Sequence, residues 1–307
     1  MIFRLSSPYR DDFRVMGYRF GKGERSCCII GSLRGNEIQQ LYMCGQLVNV
    51  LKQLESKGDI AHDREILIIP SINNYGTNLS KSFWCLDNTD VNRTFPGNAE
   101  GETTERIAAG VFSEISAYQY GVQFASFYIP GVFIPHVRMM KTNKENAALA
   151  NLFGLPYVIL RTPNFLDQGT LNYNWQLGNT SAFSVYTNAT ESIDEESAKQ
   201  GVSAVLRFLS RMGIIKYKCH GGFMGAIIDE DDMLNIKSGA AGIYRSIKCS
   251  GDEVKQGELL AEIIHPYEGE VIDRVTAPAD GIIFFTHTKP LVMENNVIFK
   301  MIKRLHK

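Results

Sequence analysis

Side chains able to do chemistry gather first in the stretch S-C-C-I-I-G-S-L-R-G-N-E-I-Q-Q-L, Ser26 to Leu41, where Arg34, Asn36 and Glu37 follow a short apolar run. A guanidinium stays protonated in proteins and carries no lone pair, so Arg34 can bind an anion but cannot ligate a metal. Glu37 stands three residues on, within reach of pairing with Arg34 where a helix begins. A carboxylate there is also what the helix dipole favours, so Glu37 reads either as a site acid or as a first-turn acid. The second polar patch is D-V-N-R-T-F-P-G, Asp90 to Gly97. Its Arg93 suits carboxylate recognition or a structural pair with Asp90.

The elements that must hold these residues follow from patterning. Cys27 to Ile30, a tight turn at Gly31 and an amphipathic pattern through Ile38, Leu41, Tyr42, Val48, Leu51 and Leu54 spell strand, turn and helix, with Gly58 as the stop. In an open α/β sheet the carboxyl end of a strand is where ligands bind. Val15 to Phe20 and Ser26 to Ile30 read as strands joined by a hairpin loop. E-I-L-I-I-P at Glu65 to Pro70 has the continuous apolar character of a central strand. Residues 71–101 are rich in Asn, Asp, Ser and Gly and lack a helical period; a loop longer than about 12 to 15 residues is usually functional or disordered, and the aromatic content argues for order. Helical spacing resumes at Thr104 to Tyr118, strands are expected at Tyr120 to Tyr128, Tyr157 to Leu160 and Ala182 to Tyr186, and Thr142/Glu145 and Ser192/Glu195 read as capping boxes of two further helices. Up to about residue 215 this predicts an α/β fold with a mostly parallel mixed sheet flanked by helices. After Cys219 come short apolar runs with glycine turns, the pattern of a small β-barrel-like domain. The expected domains are 1–218 and 219–307.

The whole chain narrows the partners. Its 307 residues suffice for one large domain and one small one, and a formal net charge of −1 leaves no basic footprint for nucleic acid. No window approaches the roughly 18 to 20 apolar residues of a membrane span, and the first residues lack a signal-like apolar core, so a cytoplasmic protein without a membrane partner is expected. The six cysteines have no C-x-x-C spacing, and several lie in apolar runs as buried thiols do.

Four patches carry a resemblance: G-S-L-R-G-N-E at Gly31 to Glu37, D-V-N-R-T-F-P-G at Asp90 to Gly97, Y-G-V-Q-F-A-S at Tyr120 to Ser126 with P-H-V-R-M at Pro135 to Met139, and A-F-S-V-Y-T-N at Ala182 to Asn188. In this order and spacing they resemble the succinylglutamate desuccinylase/aspartoacylase family, which implies a zinc-carboxypeptidase-like fold and zinc-dependent amide hydrolysis of N-acyl amino acids. The C-terminal G-D-E-V-K-Q-G-E-L-L-A-E-I and A-P-A-D-G-I-I are similar to a biotinyl/lipoyl-like barrel, without a lysine in the recognisable attachment sequence; a lid or assembly surface is the expected role.

The resemblance also locates what has been replaced. It places two histidine ligands at Arg34 and Ala125, a glutamate ligand at Glu37, the general base at Tyr186, and the substrate carboxylate at Asn92 and Arg93. Only Glu37 survives of the ligands. Alanine offers no donor, and tyrosine with a reference pKa near 10 is a poor base at neutral pH. With Arg34 and Arg138 added, the implied pocket is an anion site built on Asn92, Arg93, Arg34 and Arg138. The leading expectation is therefore a catalytically degenerate binder of a small carboxylate ligand that holds no cofactor. The alternative is an active metal-dependent hydrolase with a rearranged set around Glu37 and His136, which would hold zinc but still falls short of the usual three protein ligands. A third reading is an interaction protein with an empty pocket, and a homo-oligomer is left open. His62, His265, His287 and His306 are expected to face solvent.

Overall fold

A computed structural model describes residues 1–7 and 11–304; His306 lies outside the described residues. The chain forms two compact units, Met1–Ser126 with Pro135–Ile228, and Phe127–Ile134 with Asp229–Lys307. The division expected at residue 218 thus falls ten residues later, because residues 223 and 226 hydrogen-bond back to Gly154 and Pro156 of the first unit. Residues 127–134 join the second unit, where they supply an extra strand.

In the first unit, β1 (Phe3–Leu5) and β2 (Phe13–Val15) make a two-stranded antiparallel ribbon. The main sheet uses β3 (Tyr18–Gly21), β4 (Glu24–Ser32), β5 (Arg64–Ser71) and β6 (Tyr120–Ala125). With β7 (Gly131–Phe133) belonging to the second unit, the sheet continues in β8 (His136–Met140), β9 (Tyr157–Arg161), β10 (Ser181–Tyr186) and β11 (Ala226–Asp229). Its order is β11-β9-β8-β10-β6-β4-β5-β3. The pairs β4/β5, β4/β6, β6/β10 and β8/β9 are parallel, whereas β10/β8 and β3/β5 are antiparallel. The hairpin expected between the first two strands is not formed: β3 pairs with β5, so β4 is freed to lie centrally between two parallel neighbours.

The helices are α1 (Ile38–Lys57), α2 (Asn74–Asn78), α3 (Thr103–Ile115), α4 (Ala147–Asn151), α5 (Leu171–Leu177) and α6 (Glu195–Arg211). Strand alternation sorts β4 between two cores. Cys27 and Ile29 pack with Met43, Leu47 and Leu51 of α1 and with Val205, Phe208 and Leu209 of α6. Cys28 and Ile30 pack on the other face with Ile107 and Val111 of α3 and Trp175 of α5. Each such fully buried aliphatic side chain contributes about 1.5–3 kcal/mol, so the strand that leads into the Arg34 turn is held from both sides. Gly58 ends α1 in the left-handed conformation, φ 74°. The predicted capping boxes shift by a few residues: Asn146 caps α4 and Asp194 caps α6, each accepting a backbone N–H three residues on.

The second unit contains β7 and eight further strands: β12 (Leu234–Lys237), β13 (Gly242–Ser246), β14 (Glu253–Val254), β15 (Leu259–Ile264), β16 (Val271–Thr276), β17 (Gly281–His287), β18 (Leu291–Val292) and β19 (Val297–Lys303). They form one sheet ordered β12-β19-β17-β14, to which β7 adds against β17, and a second ordered β16-β15-β13-β18. The core between them includes Leu260, Ile263, Ile283, Ile298 and Phe299. His287, expected at the surface, is buried at the end of β17, where it pairs with Gly131 of β7 and meets the Tyr244 ring edge-on at 5.8 Å. Among the described residues no helix is long and apolar enough to cross a membrane.

Candidate functional site

The site lies where β4, β6 and β10 run out. After Ser32 the chain turns through Leu33–Glu37 into α1, and Gly35 makes that turn feasible: a Cβ there would lie 2.2 Å from the Gly76 carbonyl carbon and 2.4 Å from Lys81 O. The close approach is fixed by the Gly35 N–H donating to Ser82 O at 3.1 Å. The 71–101 segment is accordingly an ordered loop, with α2 capped by Asn73 and a short helical turn at Val91–Arg93 capped by Asp90.

Glu37 is the N-cap residue of α1, but its side chain does not cap the helix. It turns backwards. Its Oε2 accepts the backbone N–H groups of Leu33 at 2.8 Å and Arg34 at 2.9 Å. Its Oε1 accepts Arg34 Nη1 at 3.2 Å and the Ser126 hydroxyl at 2.5 Å. A carboxylate has about four lone-pair sites, and four donors fill them here. Glu37 is completely buried, so these bonds also compensate its loss of water.

Arg34 is only 6% exposed and serves two acids. Besides Glu37 it reaches Asp90, whose Oδ2 accepts Nε at 3.2 Å and Nη2 at 2.9 Å, and Nη1 also lies 3.5 Å from Ser126 Oγ. Burial disfavours its charged form, yet the fields of Glu37 and Asp90 outweigh that and hold the Arg34 pKa above its ordinary value. The pair with Glu37 that the spacing allowed is present, and Asp90, the alternative structural partner considered for Arg93, is paired with Arg34 instead.

Arg93 donates to Leu166 O and pairs with Asp167 at 3.3 Å, and Asp167 is also held by Arg161 at 3.0 Å. Asn92 accepts the Leu171 N–H at 3.2 Å. The Asn92–Arg93 block is thereby fastened to the segment that leads into α5. On β8 and β10, the Tyr186 ring stacks on His136 at 4.9 Å with nearly parallel planes, and the Arg138 guanidinium lies 4.9 Å from the same ring. His136 and Arg138 are two apart on one strand, and His136 is register partner to Tyr186, so the sheet itself builds this stack. Ala125 closes β6 as the register partner of Tyr186, immediately before the Ser126 that bonds Glu37.

Comparison with solved structures returns long, confident matches. A succinylglutamate desuccinylase from Silicibacter sp. TM1040 superposes with a TM-score of 0.81 at 18% identity, over 96% of this chain and 92% of that one. The product-bound ectoine utilization protein EutE (DoeB) from Ruegeria pomeroyi gives 0.81 at 18% identity, over 98% and 93%. An aspartoacylase family protein from Mesorhizobium loti gives 0.78 at 20% identity, over 97% and 91%. This chain has the succinylglutamate desuccinylase/aspartoacylase fold. No protein-family model matches the sequence, and no curated protein matches it.

At the positions to which the resemblance assigns zinc, the residues present do not fit the ion. Arg34 has no lone pair, Ala125 no donor atom, and the lone pairs of Glu37 are taken. Among the described residues there is no group of three His, Cys, Asp or Glu side chains placed to hold a metal ion, so Glu37 and His136 do not belong to a triad of those types. Sequence reasoning missed Ser126 and the role of Asp90 toward Arg34. Asp90 lies 56 residues from Arg34 and Ser126 lies 89 from Glu37, separations that no local pattern reports.

Proposed function

We propose that this protein binds a small carboxylate-bearing ligand at the strand ends around Tyr186 and does not perform zinc-dependent deacylation. The observation that carries the reading is the saturation of Glu37, whose carboxylate is engaged by Leu33, Arg34 and Ser126. Arg34 takes the place of a cation there and neutralises acids of the protein itself. Ligand contact therefore passes from Arg34 to Arg138, Asn92 and Arg93, of which Arg138 sits on the Tyr186 ring. A guanidinium beside an aromatic face suits a planar carboxylate. The ligand class is that of N-acyl amino acids and their cleavage products, in keeping with neighbours named as a succinylglutamate desuccinylase and a product-bound ectoine utilization protein.

The test is metal content and ligand response on one preparation. Protein purified without chelator should contain far less than one zinc ion per chain and leave N-succinyl and N-acetyl amino acids intact. The same compounds, or the free acids, should raise its melting temperature, and Arg138→Ala should abolish the rise. Stoichiometric zinc with chelator-sensitive hydrolysis overturns the reading in favour of the hydrolase. If no small carboxylate raises the melting temperature, the ligand-binding half fails and an interaction role remains.

A further inference from the structure

The second unit carries an exposed apolar row that nothing in the proposed function uses. On the outer face of the β16-β15-β13-β18 sheet, Leu291 of β18 stands beside Ile243 of β13, Ile243 beside Ile264 of β15, and Ile264 beside Val271 of β16. Leu291 is 67% exposed, and Ile243 and Val271 are each 37% exposed. The inner register, Tyr244 with Ile263, belongs to the core, so the row is the sheet's solvent face and not a leak from its interior. Single exposed apolar residues need no explanation; a continuous line across four strands does.

Charge on either side of the row is ordered by sign. One step along the strands lies Arg245, then Glu262, then Arg274, also in register, with Glu262 bonded by Arg245 and lying 3.4 Å from Arg274. That flank has one positive charge in excess. On the opposite flank, the turn between β15 and β16 carries Glu268 and Glu270, both exposed. The face therefore reads basic, apolar, acidic along the strand direction.

We propose that this face is a self-association surface whose occupant is the same face of a second copy of the chain. A two-fold axis laid along the apolar row stacks Leu291 on Leu291 and Ile243 on Ile243, and reverses the strand direction. The Arg274 flank of each copy then falls on the Glu268–Glu270 turn of the other. The contact is isologous, as closed dimers require, and complementary in charge with no added partner. The two aligned sheets would pack about 10 Å apart, as in a β-sandwich.

Sedimentation velocity of the full chain over a concentration series tests this. A concentration-dependent dimer is expected. Leu291→Lys and Ile243→Lys, at exposed positions, should each raise the dissociation constant about tenfold or more, because a charge is then buried against its own copy. An unchanged far-UV spectrum would show that the fold is intact. Glu270→Lys should weaken the dimer, and R274E/E270K should regain affinity, since exchanging the two charges restores the cross-copy pair. A chain that stays monomeric at every concentration overturns the second copy as occupant. A dimer indifferent to both lysine substitutions overturns the face, and failure of the charge exchange overturns the two-fold arrangement.

Discussion

Replacing Arg34 by alanine tests whether the guanidinium holds the site together. It donates two bonds to Asp90 and one to Glu37, and all three residues are less than a tenth exposed. Its removal leaves two carboxylates buried close together without a counter-charge. Breaking a buried ion pair from one side costs about 3–5 kcal/mol, because the remaining charge stays desolvated. For a unit of roughly 200 residues each kcal/mol lowers the melting temperature by about 2–4 °C, so the drop should be on the order of 10 °C. The control is R34M/E37Q/D90N, which removes all three charges while keeping volume and most hydrogen-bonding capacity. It should recover a large part of the loss, because no uncompensated charge remains. Calorimetry or denaturant unfolding of the three proteins at neutral pH measures both differences. A loss below about 1 kcal/mol for R34A, or a triple variant as unstable as the single one, would refute the clamp.

Three other outcomes follow from the same structure. Gly35→Ala should destabilise by about 1–3 kcal/mol and weaken carboxylate binding, since its Cβ would meet the backbone of Gly76 and Lys81; an unchanged melting curve would mean that the turn and the loop can move apart. His287 is held neutral below its usual pKa, first by burial and then by Lys289. The unfolded chain therefore binds the proton more readily, and stability present above the ordinary value near 6.5 is lost as pH falls through and below it. His287→Phe should flatten the decline of melting temperature between neutral and mildly acidic pH; an identical slope would remove His287 from the account. Placing histidines where the resemblance assigns them, as R34H/A125H, should give zinc binding measurable as metal content after desalting, whereas R34H alone should not; a metal-free double variant would show that position 125 does not correspond to the family's second histidine.

How much of this was legible in the sequence depends on the range of the interaction. The turn at Gly31 to Glu37, the helix ending at Gly58 and the central strand at Glu65 to Pro70 are local features, and they stand where patterning put them. The β3/β4 hairpin was misread because adjacency along the chain favours it. What decides against it is that β5 can pair with β3 and β4 at once. His287 was misread because its run, G-I-I-F-F-T-H, gives no sign that β7 returns from residues 131–133 to cover it. At the site, the Arg34–Glu37 pair has helical spacing and was visible. The Asp90 and Ser126 contacts arise only when loop and strand end converge, and they change the meaning of the pair. Arg34 read as a ligand-binding group and as a partner of Glu37; in the fold it is also the counter-ion of Asp90.

That change gives Glu37 a role that Ala125 has no counterpart to. A carboxylate at this position accepts the Leu33 and Arg34 backbone N–H groups, which β4 leaves exposed as it ends and which need an acceptor once buried. Glu37 thus has a structural duty independent of any metal, and a buried carboxylate needs a positive neighbour whatever its chemical nature. Arg34 supplies one covalently attached to the same turn, and its fork reaches Asp90 as well, tying the turn to the 71–101 loop. An alanine at the end of β6 leaves no orphaned donor or charge behind. Residues whose loss would strand a buried charge are thus coupled in Arg34, Glu37 and Asp90, whereas Ala125 holds no charge that depends on them. The arginine is thus what lets the turn keep its buried acid and its shape.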